Sequence, residues 1–274
     1  MANAIDEARY ELALANRIIA HEGVLDGFGH VSLRHPNDPK RYLLARSRSP
    51  ELIEPSDILE FTLDSEPVTP PKSEMYGERV IHGCIYQARP DVNAVCHHHS
   101  PSVLPFCVTG MPLEPVFHMG AVMGQVLPMW DSRTDFGDTD LMVVKPEEGR
   151  SLAKALGPHW MVLMRRHGAT LAGTTLRELV FRTVYSHANA EIQLRSLILG
   201  EVEPLNTGER RRSEPRQLQP RPMARAWEYW TMRLQKADAL PPQAKPQSNK
   251  LRSVKPRSSG TRSKKRASGA RRSR

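Results

Sequence analysis

Three consecutive histidines, His97-His98-His99, close the apolar run Ala94-Val95-Cys96 and are followed by Ser100-Pro101. Side chains alternate along an extended strand, so His97 and His99 share one face and His98 takes the other. Two imidazoles on one face at a strand end supply half of a metal site. Glu78 and His167 are the candidates for the remainder. His167 falls in the turn Arg165-Arg166-His167-Gly168, where the glycine is expected to let the chain bend sharply. Glu78 and His82 are spaced as neighbours on one helix face. A carboxylate beside a divalent ion can ligate it or accept a proton. Three imidazoles with room for substrate form the pattern of a catalytic rather than a structural zinc site.

Apolar spacing predicts the elements that must hold these groups. Residues 5–21 read as an amphipathic helix and 29–34, 41–45 and 58–61 as strands. Residues 78–88 read as a helix stopped by Arg89-Pro90-Asp91, and 92–96 as the strand that delivers the histidines. A helix is expected from Pro101 to about 107, and another over 147–156. Residues 160–164 are continuously apolar, as in a strand buried on both faces, and 169–172 form one more short strand. A long helix over 175–199 is expected, with Thr175 as N-cap and Glu178 completing a capping box. Strands and helices interleave to about residue 200, which predicts one α/β domain with helices on both faces of a sheet.

Charge divides the chain. Residues 241–274 hold twelve Lys or Arg and no acid; removing them from the net +9 leaves about −3 for residues 1–240. The expected organisation is a catalytic domain over 1–208, a polar connector and C-terminal helix over 209–240, and a disordered basic tail over 241–274. Weak, salt-dependent contact of that tail with nucleic acid or other anions is an accessory expectation, since it lacks aromatic residues for stacking. Cys84, Cys96 and Cys107 suggest no disulfide framework, and Cys84 and Cys96 read as small buried hydrophobes. No apolar run approaches the ~20 residues of a membrane span, and the N-terminal segment has no secretory signal pattern. A cytoplasmic protein with no membrane partner is expected.

The run Glu78-Arg-Val-Ile-His82-Gly-Cys-Ile-Tyr86, continued by Arg89-Pro-Asp-Val-Asn-Ala-Val95 and His97-His-His99-Ser-Pro101, resembles the signature of the class II aldolase/adducin family. Gly29-His30-Val31-Ser32 and Leu163-Met-Arg-Arg-His167-Gly168 extend the resemblance, in family order, over roughly residues 7–200. It implies a three-layer αβα sandwich with a mainly antiparallel or mixed sheet. It further implies C4 homotetramers with active sites between subunits. By motif position it assigns a divalent ion, zinc or alternatively manganese or another cation, to His97, His99 and His167. The acid/base glutamate falls on Glu78. The activity implied is a carbon–carbon lyase that stabilises an enediolate.

Departures from the sugar-phosphate aldolases point to a different substrate. His30 stands where they have Asn, Ser47-Arg48-Ser49-Pro50 replaces a Ser-Gly pair, and Tyr76-Gly77 replaces two serines. Arginine and histidine suit a carboxylate and tyrosine suits a flat ring. His30, Ser32, Ser47, Arg48 and Tyr76 are therefore the expected substrate contacts, and His118 a further catalytic group reaching the active site. The substrate expected is a small hydroxy-carbonyl compound or hydroxy-aromatic acid, cleaved by aldol chemistry or decarboxylation. The alternatives are a sugar-phosphate aldolase or epimerase, and a non-catalytic adducin-like interaction module. Blander readings stand beside these: His98 packed or bonded to backbone, His82 a satisfied helix histidine, Arg48 a solvated loop charge.

Overall fold

The computed structural model describes residues 4–242; the basic tail, with its expected disorder, lies outside the described residues from 243 onward. Its centre is a seven-stranded sheet: β1 His30–Arg34, β2 Arg41–Ala45, β3 Ile58–Thr62, β4 Ala94–His98, β5 Met129–Trp130, β6 Met161–Met164 and β7 Gly168–Gly173. Strand order is β3-β2-β1-β4-β7-β6-β5. Neighbours are antiparallel except β5 and β6, so the sheet is mixed.

Alternation along the strands builds two cores. Val31, Leu43, Cys96, Leu163 and Leu171 face helices α1 (Ala4–His21) and α6 (Leu176–Leu199), with Trp227 and Trp230 of α8 (Pro220–Lys236) closing that layer. Tyr42, Leu44, Val95, Val162 and Ala172 face the other way, onto α2 (Val80–Ala88) and α5 (Pro146–Leu156). Each fully buried Leu in these layers contributes about 1.5–3 kcal/mol. The product is the expected three-layer sandwich, and all three cysteines are buried thiols within it. Three short helices complete the set: α3 Leu104–Thr109, α4 Arg133–Phe136 and α7 Thr207–Gln217. Among the described residues no helix is long and apolar enough to cross a membrane.

Several boundaries differ from expectation for local reasons. The histidine strand starts at Ala94 and includes His97 and His98, because both pair with β7. Thr175 caps α6 by accepting from the Glu178 backbone N–H at 3.1 Å, but no capping box forms. Glu178 Oε1 instead accepts from Arg182 Nε at 2.8 Å. Part of the expected polar connector is helix α7. There Asn206 and Glu209 form a reciprocal capping box, and Glu214 ion-pairs with buried Arg182 at 3.1 Å, holding the helix despite Pro215.

Candidate active site

His97, on the middle strand of the sheet, anchors the site. Its partner across β1 is His30, and its partner across β7 is Thr170. His99 lies just past the end of β4 with its ring centroid 4.8 Å from that of His97, while His98 is buried on the opposite face. There His98 Nδ1 accepts the Ser100 backbone N–H at 3.2 Å. The alternation read from the sequence therefore separates the three histidines as expected.

His167 enters from the turn between β6 and β7. The sharp bend there belongs to Arg166, which takes a left-handed φ of 56°. Gly168 has a different role from the one expected. A Cβ at this position would stand 2.2 Å from the His98 carbonyl oxygen and 3.0 Å from His99 Cδ2, so only glycine lets β7 close on the cluster. On the other side, Gly29 turns the chain into β1 at φ +87°, with the His97 carbonyl 2.9 Å from where a Cβ would sit.

Glu78 precedes α2 in a short 3-10 turn rather than within the helix itself. It is buried, and its Oε1 accepts the Val143 backbone N–H at 3.0 Å. One carboxylate oxygen lies 3.5 Å from His97 Nε2 and the other 3.5 Å from His167 Nε2. His97 Nε2 and His99 Nε2 are 3.0 Å apart. One ligand atom from each of Glu78, His97, His99 and His167 falls within 4.8 Å of the others. The three rings surround one point, His99 and His167 stacked at 19° and His97 edge-on to both.

This donor set fits a divalent cation. Four Lewis bases face each other with no proton donor of their own placed to satisfy them all. Thr170 Oγ1 lies 3.2 Å from His97 Nδ1 and can accept its proton, which leaves the Nε2 lone pair free for an ion. Burial holds His97 and His99 well toward the neutral form, with neighbouring His167 adding to the effect. Burial would raise Glu78, but the hydrogen bond from His167 and the one from the Val143 N–H outweigh it and hold the carboxyl below its usual range. A carboxylate beside the neutral imidazoles of His97 and His99 is the protonation state that binds metal.

A cavity of about 460 Å³ opens beside the cluster, lined by Glu78 and His99 and by Phe28, His30, Ser47, Arg48, Ser49, Tyr76 and Met142. Arg48 is held there by Asp57 at 2.6 Å, and the Tyr76 hydroxyl donates to the Arg48 carbonyl. Burial raises the Tyr76 phenol to about 12, so it stays protonated. Of the expected substrate contacts, His30, Ser47, Arg48 and Tyr76 line this cavity. Ser32 does not: it shares the face of His30 but lies deeper, bonded to His82 and Tyr86 at 2.6 and 2.8 Å. His118 is exposed, in the loop after α3, and is not among the lining residues.

The profile of the Class II Aldolase and Adducin N-terminal domain matches residues 10–194. The chain belongs to the class II aldolase and adducin family. Within that family it is similar to decarboxylase tropJ of Talaromyces stipitatus, 32% identical over an alignment of 235 residues that covers 78% of this chain and 88% of that one. It is also similar to a 3,4-dihydroxyphthalate decarboxylase of Arthrobacter keyseri, 30% identical over 65% of this chain and 73% of that one. An aldolase II superfamily protein from Pseudomonas syringae shares the fold, with a TM-score of 0.74 at 20% identity over 88% of this chain and 96% of that one. Sequence reasoning picks out Glu78 and the three histidines but misses Thr170, Val143, Phe28, Ser49 and Met142. Thr170 could have been found, since Gly168-Ala169-Thr170 alternates out of the turn onto the His97 face. Val143 acts through its backbone, which leaves no mark in residue type.

Proposed function

We propose that this protein is a divalent-metal-dependent carboxy-lyase for hydroxylated aromatic acids. The observation that carries the reading is the juxtaposition of the Glu78–His97–His99–His167 cluster with a cavity walled by Arg48 and Tyr76. Two relatives named as decarboxylases support it. His97, His99 and His167 would hold the cation, zinc in the first instance and manganese as the alternative. When bound, it supplies a Lewis-acid charge that stabilises negative charge developing on the substrate.

The chain's own groups do the rest. Arg48 and Ser47 hold the substrate carboxylate, and the Tyr76 ring packs against the aromatic plane. Glu78 takes the proton of the substrate hydroxyl and delivers it to the ring carbon that bears the carboxylate, leaving a ketone-like ring. The bond from that carbon to the carboxylate then breaks, CO2 departs, and the electron pair flows to the ring oxygen and restores the aromatic ring. His118, exposed in one chain, serves as a further acid only where a neighbouring copy in a homo-oligomer brings it to a cavity.

The test is a panel of aromatic dicarboxylates and aliphatic hydroxy acids, with 3,4-dihydroxyphthalate included, scored for CO2 and for aldehyde. CO2 from hydroxy-aromatic acids that falls sharply in Glu78→Gln supports the reading. Aldehyde release instead moves the assignment to aldol cleavage. Purified protein with no bound divalent metal and no turnover moves it to an adducin-like interaction module.

A further inference from the structure

A line of buried polar side chains runs from the cavity wall into the layer between sheet and α2. His30 Nδ1 is 2.6 Å from His82 Nε2, His82 Nδ1 is 2.6 Å from Ser32 Oγ, and Ser32 Oγ is 2.8 Å from Tyr86 Oη. All four residues are at most 3% exposed. At such distances each link must contain one proton, since two facing N–H groups clash and two facing lone pairs repel.

The deep end sets the direction. Tyr86 has one proton and two acceptors in reach, Ser32 Oγ at 2.8 Å and the Asn93 carbonyl at 3.5 Å. The shorter bond takes it. Ser32, accepting from Tyr86, gives its own proton to His82 Nδ1. His82 then carries its proton on Nε2 and donates it to His30 Nδ1. His30, accepting at Nδ1, keeps its proton on Nε2. That nitrogen has no hydrogen-bond partner among the described residues, and His30 lines the cavity with its ring 4.8 Å from that of Tyr76. Running the line backwards would keep the 2.8 Å contact but make the aliphatic hydroxyl the donor and the phenol the acceptor, the weaker pairing, and would leave the Tyr86 proton only the carbonyl at 3.5 Å.

We propose that Tyr86, Ser32 and His82 form a directed hydrogen-bond chain that fixes His30 as its Nε2–H tautomer, a neutral donor to an anionic oxygen of the substrate. The tautomer stands on the geometry; the role toward substrate rests on the carboxy-lyase reading. His82 and Ser32 are then positioning residues that never touch the substrate, which is why Ser32 is absent from the cavity wall. A chain of polarised bonds in a dry interior strengthens its terminal donor. His30 can hold a carboxylate or phenolate oxygen but is not set to act as a base at that nitrogen.

The test is two-bond proton–nitrogen correlation of the full-length protein with 15N-labelled histidine, His30 being assigned from the peak lost in His30→Asn. A single neutral Nε2–H pattern for both His30 and His82 is expected. An Nδ1–H pattern at His30 overturns the proposal, whatever the enzyme turns over. Ser32→Ala should leave His30 without one fixed tautomer, and an unchanged spectrum overturns the chain. In kinetics, His82→Gln can still donate an amide N–H to His30 Nδ1, whereas His82→Leu cannot. CO2 release from 3,4-dihydroxyphthalate should lose roughly 10- to 100-fold in kcat/KM in the Leu variant and only a few-fold in the Gln variant. Equal losses overturn the positioning role. Failure of every acid in the panel to release CO2 removes the carboxy-lyase reading and with it the role toward substrate, while the tautomer is still decided by the spectrum.

Discussion

Thr170 Oγ1 lies 3.2 Å from His97 Nδ1, across the β4–β7 pairing that sets the two residues opposite each other. The hydroxyl accepts the ring proton and so turns the other nitrogen toward the cluster. Thr170→Val keeps the shape and removes that acceptor. Divalent metal affinity, measured by chelator competition, should fall about 10- to 100-fold. Unchanged affinity would show that ring packing alone orients His97.

The histidines and the glutamate should separate by metal content. His97→Ala and His167→Ala each remove an imidazole from the four-group set and should purify with little metal. Glu78→Gln retains three imidazoles and should keep most of its metal while CO2 release drops about 10²- to 10⁴-fold. Stripping wild type with a chelator should lower its melting temperature, since an ion that binds only the folded chain stabilises it.

Asp57 is 6% exposed and bridges Arg46 at 2.7 Å and the cavity-lining Arg48 at 2.6 Å. Burial alone would raise this carboxyl, but the Glu54 backbone N–H and the two guanidinium groups outweigh it and hold the group below its usual value. A folded-state pKa below the unfolded one contributes stability that is full above the unfolded value and is lost as pH falls through the folded value. Asp57→Asn should therefore cost about 1–3 kcal/mol in denaturant melts at pH 7 and progressively less below about pH 4. A constant difference across that range would exclude charge as the cause.

Gly168→Ala offers a steric test. The added methyl meets the His98 carbonyl at 2.2 Å, and backbone has little room to yield. A loss of about 1–3 kcal/mol in stability is expected, accompanied by weaker metal binding as His167 and His99 are pushed apart. Wild-type stability in this variant would mean that β7 sits more loosely than the contact implies.

Arg48→Ala should act on binding. Arg48 lines the cavity, and the hydroxyl of Tyr76 rests on its backbone rather than on its side chain. KM for a hydroxy-aromatic acid should rise roughly 10-fold or more with a smaller change in kcat. A fall in kcat alone would place Arg48 in the chemical step.

Much of the cluster was legible because its residues obey local rules. Period-two alternation puts His97 and His99 together and sends His98 away, and Glu78 and His167 stand out as the remaining candidates, with roles implied by the family resemblance. Legibility failed where the determinant was non-local or carried by backbone. Ser32 looked like a substrate contact because it shares a face with His30, but depth along a strand has no sequence signature. Gly168 looked like a hinge, yet its smallness answers to the His98 carbonyl, a neighbour defined only by strand pairing. Helix α7 is masked in the sequence by its arginines and Pro215, and the Asn206–Glu209 spacing is the one local signal that marks its start.

The strand bearing His97 is the fourth of seven, with three strands on either flank. An ion gripped there would rivet the two flanks at their seam, since Glu78 and His167 reach it from opposite sides of that seam. Loading would thus make two half-sheets respond to stress as one plate, and an emptied rivet would surrender that unity before any strand was lost.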